Sequence, residues 1–512
     1  MKQRNVVFCL FLIFFINVLS AQKSVLKRPN IIVFLVDDMG WQDCAVPFWV
    51  KKTSQNNRFH TPAMEQLAAD GMKFTNAYAN PVCTPSRVSM LTGVSAAVHH
   101  VVNWTSPFKN NNTDNLDDQM VSANWNMNGL SNVPNIPFTY QATTFPSILK
   151  AAGYFTVHVG KAHWGSSGTP GSNPYNLGFV VNISGQAAGH PQSYLGEENY
   201  GNIPMKPTIQ AVTDLQEYYG STTFLTDALT KEALKSLDAP IEQGQPFFLH
   251  LSHYAVHTPI QADIRFRNRY LDMGLDTIEA NYASLIEGMD KSLGDVMHYL
   301  KKKQVDENTI IIFLSDNGGL SLGGKGARGN NSHVQNLPLK AGKGSVYEGG
   351  IRIPFIVKWP GVCKKASATD APIIVDDLFP TILAMAGIKK YSTLQTLNGK
   401  NIIPLIQQPS IFKERTLIWH YPIKWIDKDG PGINFHSAIR KGDWKMVYNM
   451  RNGKTALYHL KEDIGELNDL SAGYPQRLKE LKTSMSDSLR KWKSPMPVFK
   501  ATNKLVPMPD EL

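Results

Sequence analysis

At residues 83–93 the chain has the sequence Cys83-Thr84-Pro85-Ser86-Arg87-Val88-Ser89-Met90-Leu91-Thr92-Gly93. Thr84 is a favourable N-cap and Pro85 suits the first helical position, so a helix is predicted to begin there. Cys83 would then lie at the positive end of the helix, where free backbone N–H groups favour an anion. Arg87, one turn further on, would add a charge-assisted hydrogen bond. The alternative is a buried structural cysteine beside an ordinary capped helix.

The same stretch resembles the signature C-x-P-S-R-x-x-x-L-T-G of the formylglycine-dependent, arylsulfatase-like (type I) sulfatases of the alkaline-phosphatase-like superfamily. In that family a maturation enzyme oxidises the cysteine to the aldehyde formylglycine before the protein works. The resemblance implies that Cys83 is this cysteine and that the chain hydrolyses sulfate esters. It also implies a formylglycine-generating enzyme as a partner.

Short apolar runs alternate with amphipathic stretches, which predicts an α/β fold built on a mostly parallel sheet. Polar residues follow each of four runs, namely Ile31–Val36, Tyr154–Val159, Phe247–Leu251 and Ile310–Leu314. Ligands of open α/β sheets bind at the carboxyl ends of the strands, so we expect the site there. Apolar residues at helical spacing from Tyr282 to Leu300 predict a helix that faces the core. The family fold implies a large mixed, mostly parallel sheet flanked by helices.

The chain is predicted to divide into a signal peptide at 1–21, a catalytic domain at 22–410 and a smaller subdomain at 411–512. Alternation in Ser437–Val447 and Lys454–Leu460 predicts antiparallel strands, and Pro475–Trp492 predicts a terminal helix. These elements resemble the C-terminal antiparallel sheet plus helix of the sulfatases.

The N-terminus has the pattern of a cleaved secretory signal, with Lys2 and Arg4 before the short apolar run Val6–Val18. We therefore expect an exported protein, periplasmic or secreted, without a membrane span. Four cysteines, one of them Cys9 in the signal, are too few for a disulfide framework. Whether Cys44 and Cys363 pair is left open.

The formal net charge of +10 would attract polyanions such as sulfated polysaccharide, although scattered lysines that keep the protein in solution are an equally good explanation. No nucleic-acid partner is predicted, and the oligomeric state is not predicted from the sequence.

Hard oxygen ligands follow two of the apolar runs, as Asp37-Asp38 and Asp316-Asn317. Both pairs match the metal-binding pairs of the sulfatases, whose set Cys83 would complete through an oxygen of its modified side chain. Three carboxylates and an amide oxygen suit Ca²⁺, with Mg²⁺ as the alternative. Taken alone, each pair would more often be a turn with a helix cap.

Further residues match catalytic positions of the family. Lys161 and His163 end a second signature at 153–163, which departs from the family in having Ala162 where many members carry a large aromatic residue. The resemblance implies that Lys161 contacts sulfate and that His163 acts as a base on the formylglycine hydroxyl. His257 takes the position of the proton donor to the leaving alcohol, and Lys343 that of a second sulfate-binding lysine. Arg87 would share in stabilising the charge.

The substrate is expected to be a sulfated poly- or oligosaccharide. Candidate contacts, each individually weak, are His99, His100, Trp104, His420, Trp425 and His436. An Asn-rich stretch at 103–138 is predicted to be a surface insertion that shapes a groove. Two other classes stay open: a phosphomonoesterase or phosphodiesterase on the same fold, and an inactive protein that binds sulfated glycans.

Overall fold

The strand β1 (Asn30–Val36) shows why a covered sheet forms. All of its residues are buried. Ile31 and Val33 belong to one hydrophobic core, whereas Ile32 and Phe34 belong to another. Because successive side chains of a strand point to opposite faces, a strand that is apolar on both faces belongs inside a sheet with helices on either side.

The computed structural model describes residues 28–203, 205, 208–320, 336–411 and 414–512. The predicted signal at 1–21, with Cys9, lies outside these residues. Within them, no helix has the length and apolar character needed to cross a membrane.

The remaining strands are β2 (Met72–Phe74), β3 (Ala77–Tyr78), β4 (Met120–Val121), β5 (Gly129–Ser131), β6 (Thr139–Gln141), β7 (Phe155–Gly160), β8 (Val181–Ile183), β9 (Phe247–Ser252), β10 (Thr309–Ser315), β11 (Phe355–Lys358), β12 (Ser367–Thr369), β13 (Ile373–Ile374), β14 (Thr416–Tyr421), β15 (His436–Lys441), β16 (Trp444–Asn449), β17 (Thr455–His459), β18 (Val498–Phe499) and β19 (Lys504–Leu505). The four apolar runs of the sequence are β1, β7, β9 and β10.

The large sheet has eight strands in the order β12-β2-β11-β10-β1-β9-β7-β8. Its strands pair in parallel except on the two sides of β11, which runs the opposite way. The predicted mixed, mostly parallel sheet is thus confirmed. Since β10, β1, β9 and β7 are adjacent and parallel, their carboxyl ends meet at one edge.

The helices are α1 (Ser54–Arg58), α2 (Pro62–Asp70), α3 (Cys83–Thr92), α4 (Ala96–His99), α5 (Phe145–Ala151), α6 (Leu225–Glu242), α7 (Ile264–Asp272), α8 (Thr277–Lys302), α9 (Glu348–Ile351), α10 (Leu378–Met385), α11 (Ile403–Gln407) and α12 (Pro475–Trp492). The predicted apolar stripe lies on α8 and is buried.

The helix α3 begins earlier than the sequence indicates. Its N-cap is Val82, which offers no side-chain hydrogen bond, and Cys83 is the first helical residue. The prediction of Thr84 as N-cap is therefore wrong, because its hydroxyl instead accepts a hydrogen bond of 3.1 Å from the backbone N–H of Thr105. The helix ends at Gly93, which is left-handed at φ 69°, as glycine favours.

A second sheet near the C-terminus is antiparallel, in the order β14-β15-β16-β17. The helix α12 contributes Leu481, Met485 and Leu489 to the core beneath it. The predicted small sheet with one helix is confirmed, while the boundary at 410/411 stays a prediction. Residues 103–138 are more than a surface insertion, because Trp125 is buried and β4 pairs with β18. Cys44 and Cys363 are both buried free thiols, so they do not pair.

A buried ion cluster joins the second sheet to the large domain. The Lys445 ammonium on β16 lies 2.9 Å from a carboxylate oxygen of Glu348 and 2.8 Å from one of Glu466, with all three side chains fully buried. Burial raises the pKa of Glu466 to about 7, while Lys445 limits that rise and the charge of Glu348 adds to it. Without Lys445, Glu348 would keep Arg352 at 3.3 Å, but buried Glu466 would lose the ammonium group that it pairs with.

We predict that Lys445→Ala lowers the free energy of unfolding by about 3–5 kcal/mol, as breaking a buried ion pair does. Lys441→Ala is the matched control, because Lys441 pairs with Glu480 where both side chains are partly exposed; it should cost under about 1 kcal/mol. Urea denaturation compares the two variants, and equal losses would contradict the role of burial.

Candidate active site

Charged side chains meet at the carboxyl edge of the large sheet, as the sequence predicts. Asp37 and Asp38 follow β1, Lys161 follows β7, and Asp316 follows β10. Adjacent strands fix their positions: the backbone N–H of Asp38 donates to an Asp316 oxygen at 3.2 Å, and that of Lys161 donates to the Ser252 carbonyl at 2.8 Å. Asp38 itself has a positive φ of 62°, which L-residues seldom adopt.

Three buried carboxylates form the centre of the site. Asp37, Asp38 and Asp316 each place an oxygen within 4.8 Å of the others. Burial, and next the negative charge of Asp316, raise the pKa of Asp37 well above its usual range. Such crowding of buried like charges needs compensation from cations.

The protein supplies part of that compensation with three cationic side chains. The Arg87 guanidinium donates to Asp316 at 2.8 Å, to the Lys161 carbonyl at 2.9 Å and to the Ser252 hydroxyl at 2.7 Å. Lys161 Nζ lies 2.5 Å from Asp37, and Lys343 Nζ lies 2.7 Å from Asp38. Burial tends to raise the pKa of Asp38, but the charge of Lys343 and of its other cationic neighbours outweighs it and lowers that pKa below its usual value.

The donor set also suits a hard cation. The Oδ1 atoms of Asp37 and Asn317 are buried and have no hydrogen-bond partner in the described protein, although buried oxygens are normally satisfied. Asn317 turns its amide nitrogen to Asp38 at 2.8 Å, which leaves its oxygen free to bind a metal. Carboxylate and amide oxygens are ligands of Ca²⁺ and Mg²⁺. The residues present therefore fit a divalent cation.

Cys83 faces His163 across the floor of the site. Its Sγ lies 3.5 Å from His163 Nδ1, and His163 Nε2 lies 2.9 Å from the Thr105 carbonyl. A carbonyl only accepts hydrogen bonds, so Nε2 carries the proton and Nδ1 presents its lone pair to Cys83. Burial, with Lys161, lowers the pKa of His163 well below its usual value and keeps the ring neutral.

His257 stands on the other side of the carboxylates. Its Nε2 lies 3.6 Å from Asp38, and its Nδ1 lies 3.0 Å from the Thr258 carbonyl. Burial and then Lys343 lower the pKa of His257, while Asp38 opposes them. Lys340, the neighbour of Lys343 in the pattern, instead donates to the Glu466 carbonyl at 3.0 Å, away from the site.

A cavity of about 430 Å³ opens above these groups. Cys83, His163, His257 and Lys343 lie on its floor and sides, and Trp104 and Trp425 contribute to its wall. A Cβ on Gly344 would lie 1.9 Å from the Trp425 ring, so only glycine lets this tryptophan lie beside Lys343. Both tryptophans are therefore placed to contact a ligand.

The four histidines proposed as substrate contacts do not line this cavity. His99 is buried between the Ser89 hydroxyl and the backbone N–H of Val101. Both nitrogens of His420 are occupied, by Ser437 and the Pro495 carbonyl. His436 is buried with its Nδ1 on the Asn434 carbonyl, and His100 is half-buried outside the lining. The hydrogen bonds of His99, His420 and His436 therefore serve the fold rather than the cavity.

Several lining residues escape sequence reasoning. They are Gly189, His190 and Gln210, which lie in irregular segments without hydrophobic periodicity or a family motif. Thr105, Ser106, Phe108 and Asn111 also line the cavity. These four lie in the stretch 103–138 that the sequence predicts to shape a groove, although none of them is singled out there. For His190 the only signal is a histidine between glycine and proline, which is too weak to predict a site.

Most of the chain matches known protein families. A family model described as Sulfatase matches residues 29–388, and one described as N-sulphoglucosamine sulphohydrolase, C-terminal, matches residues 342–494. The chain belongs to the sulfatase family. It is thus a sulfuric ester hydrolase, and the resemblance carried by residues 83–93 is confirmed.

Individual sulfatases match along most of the chain. A Sulfatase of Formosa agariphila is 26% identical, over 92% of this chain and 90% of that protein. The N-acetylgalactosamine-6-sulfatase of Mus musculus is 29% identical, over 74% of this chain and 66% of that protein. The crystal structure of Ps i-CgsB in complex with k-i-k-neocarrahexaose aligns with a TM-score of 0.70 at 26% identity, covering 90% of this sulfatase and 93% of that chain.

We predict that the metal-stripped sulfatase melts at a higher temperature when Ca²⁺ is restored, because a ligand bound only by the native state stabilises it. Asn317→Ala should raise the Ca²⁺ concentration needed for the same shift by at least about tenfold. Asn308→Ala is the control, since Asn308 precedes β10 at its opposite end. Identical melting with and without Ca²⁺ and Mg²⁺ would contradict a metal site.

Proposed function

We propose that this sulfatase removes sulfate from a sulfated oligo- or polysaccharide, with a nucleophile made from Cys83 and with a divalent cation. The observation that carries the proposal is that Cys83 lies with His163, three carboxylates and three cationic side chains beneath one cavity. Sulfate ester hydrolysis needs a nucleophile, charge neutralisation on the sulfate oxygens and a proton for the leaving alkoxide.

Cys83 is the proposed nucleophile position. A formylglycine made from it supplies, once hydrated, one hydroxyl to attack sulfur and a second whose deprotonation releases the sulfate. A cation held by Asp37, Asp38, Asp316 and Asn317 would lower the pKa of the attacking hydroxyl. Burial raises the pKa of the unmodified Cys83 thiol and so disfavours the thiolate that would itself be nucleophilic.

His163 is proposed as the base that takes a proton from the second hydroxyl. Its Nδ1 lone pair already faces the Cys83 side chain, and the Thr105 carbonyl holds the ring in this tautomer. Arg87, Lys161 and Lys343 would stabilise the negative charge of the sulfate, a contribution that usually dominates such reactions.

His257 is proposed as the acid that protonates the leaving sugar oxygen. The ring lies at the cavity wall beside Lys343, where the ester oxygen of a bound sulfate would lie. The positive charges of Lys343 and Lys161 lower the pKa of His257, and a bound sulfate would offset those charges. The pKa-raising effect of nearby Asp38 would then favour the protonated ring.

A glycan substrate is supported by the cavity wall and by the relatives. Tryptophan rings at 104 and 425 offer flat apolar faces of the kind that pack on sugars. The relative from Mus musculus is named N-acetylgalactosamine-6-sulfatase. The aligned crystal structure contains Ps i-CgsB in complex with k-i-k-neocarrahexaose. Export to the periplasm or the medium, and maturation by a formylglycine-generating enzyme, complete the proposal.

The two alternatives receive less support. Phosphoesterases of the superfamily normally use serine or threonine with two metals, yet among the described residues a single acidic cluster is large enough for a metal. An inactive binding protein would have lost catalytic groups, whereas Cys83, His163, His257 and Lys343 all face one cavity.

We predict that Cys83→Ala and Cys83→Ser abolish sulfate release while the melting temperature stays within a few degrees of the wild type. Peptide mass spectrometry across Cys83 in wild-type protein from its own host should show formylglycine. An unmodified thiol in a protein that still turns over sulfate esters would refute the nucleophile.

His257→Ala should reduce turnover of sugar sulfates by about 10²–10⁴-fold, the usual contribution of general acid catalysis. Turnover of 4-nitrophenyl sulfate should fall far less, since its leaving group needs no proton. Steady-state kinetics on both substrates provides the check, and equal losses would remove His257 from the acid role.

A further inference from the structure

One irregular segment, residues 186–190, contacts both catalytic histidines of the proposed mechanism. The backbone N–H of His163 donates to the Gln186 carbonyl at 3.0 Å. A Cβ on Gly189 would lie 2.5 Å from the His163 ring, so the segment packs directly on that ring. The next residue, His190, therefore has a fixed position relative to the reacting groups.

The His190 ring lies parallel to the ring of His257. Their centroids are 5.7 Å apart and their planes differ by 8°. Both rings belong to the lining of the cavity. A substrate whose leaving oxygen meets His257 would thus present its neighbouring substituents to His190.

The hydrogen bonds of His190 determine what it offers to a ligand. Its Nδ1 lies 3.0 Å from the Pro191 carbonyl, so Nδ1 carries the proton and Nε2 carries a lone pair. Within the described part of the chain, this Nε2 has no hydrogen-bond partner. Burial lowers the pKa of His190, which favours this neutral form. His190 therefore presents a hydrogen-bond acceptor to the cavity.

We propose that His190 is a specificity-determining residue that accepts a hydrogen bond at Nε2 from a sugar hydroxyl next to the leaving oxygen. The inference rests on the proposed function, because it assumes that a sulfated sugar occupies this cavity. It deepens that function by selecting sugars with a free hydroxyl beside the sulfated position.

The charges around the cavity favour a hydroxyl over other partners. An unprotonated nitrogen repels sulfate oxygens. In the proposed mechanism those oxygens meet Lys161 and Lys343, the cationic side chains that pair with Asp37 and Asp38. A neutral sugar hydroxyl is a donor that fits this acceptor. An aryl sulfate has no such hydroxyl and would leave His190 without a ligand contact.

The test compares His190→Ala with the wild type on two kinds of substrate, after mass spectrometry has shown equal formylglycine content. We expect kcat/KM to fall about tenfold on the sugar sulfate, as for a lost hydrogen bond, and to stay within about threefold on 4-nitrophenyl sulfate. The sugar is the one hydrolysed fastest among galactose 2-sulfate, galactose 3-sulfate and N-acetylgalactosamine 4-sulfate, each of which has a free hydroxyl on a carbon next to the sulfated one. N-acetylgalactosamine 6-sulfate has no such hydroxyl, so a clear preference for it would contradict the proposal. His298→Ala, an exposed histidine on α8, is the matched control.

A deoxy analogue of that sugar, lacking the neighbouring hydroxyl, identifies the partner. For the wild type, kcat/KM should fall from the parent sugar to the analogue by the same factor as His190→Ala lowers kcat/KM on the parent sugar. For His190→Ala, kcat/KM should be the same on the parent sugar and on the analogue. His190→Gln, which keeps an acceptor, should recover part of the loss. The proposal would be overturned if His190→Ala lowered kcat/KM equally on sugar and aryl sulfates. It would also be overturned if the effects of the substitution and of the missing hydroxyl on kcat/KM were fully additive.

Failure of the proposed function has a different signature. If the wild type hydrolyses 4-nitrophenyl sulfate but none of the sugars, the glycan assignment and the contact of His190 both fall. If the wild type hydrolyses a sugar and His190→Ala is unchanged on it, the role of His190 alone is overturned.

Discussion

The site depends on placing three carboxylates together where water is excluded. Desolvation and mutual repulsion both oppose the charges of Asp37, Asp38 and Asp316. Arg87, Lys161 and Lys343 relieve part of that cost, and two unsatisfied oxygens remain for a cation. Each of these three cationic side chains therefore stabilises the buried carboxylates and is also proposed to bind sulfate. The same contacts thus set the charge balance and the proposed chemistry.

Parallel strands make this concentration of charge feasible. The strands β10, β1, β9 and β7 end at one edge, so residues far apart in the chain need no long loops to meet. The helix α3 directs Cys83 at the same point, and buried Arg87 ties that helix to the ends of three strands. A rigid apolar sheet holds polar groups that would otherwise separate.

The proposed chemistry and the proposed selectivity use different parts of the molecule. Among the groups of the proposed centre, Cys83 begins a helix and Asp37, Asp38, Lys161 and Asp316 directly follow strands, which positions them firmly. The cavity wall instead comes from irregular segments around Trp104, His190 and Trp425. Such segments tolerate substitution, because few backbone contacts constrain them.

The family, the strands that lead to the site and the polar groups at their ends could all be predicted from the amino-acid sequence. Those features are local: a continuous apolar run predicts a strand buried on both faces, and the contiguous motif at Cys83 identifies the family. Three further features became evident from the folded chain: α3 begins at Cys83, His190 lies parallel to His257, and four of the candidate histidines lie outside the cavity, namely His99, His100, His420 and His436. The physical reason is that these positions depend on tertiary packing, which brings together residues far apart in the chain: His190 stacks on His257, and His420 bonds to the Pro495 carbonyl.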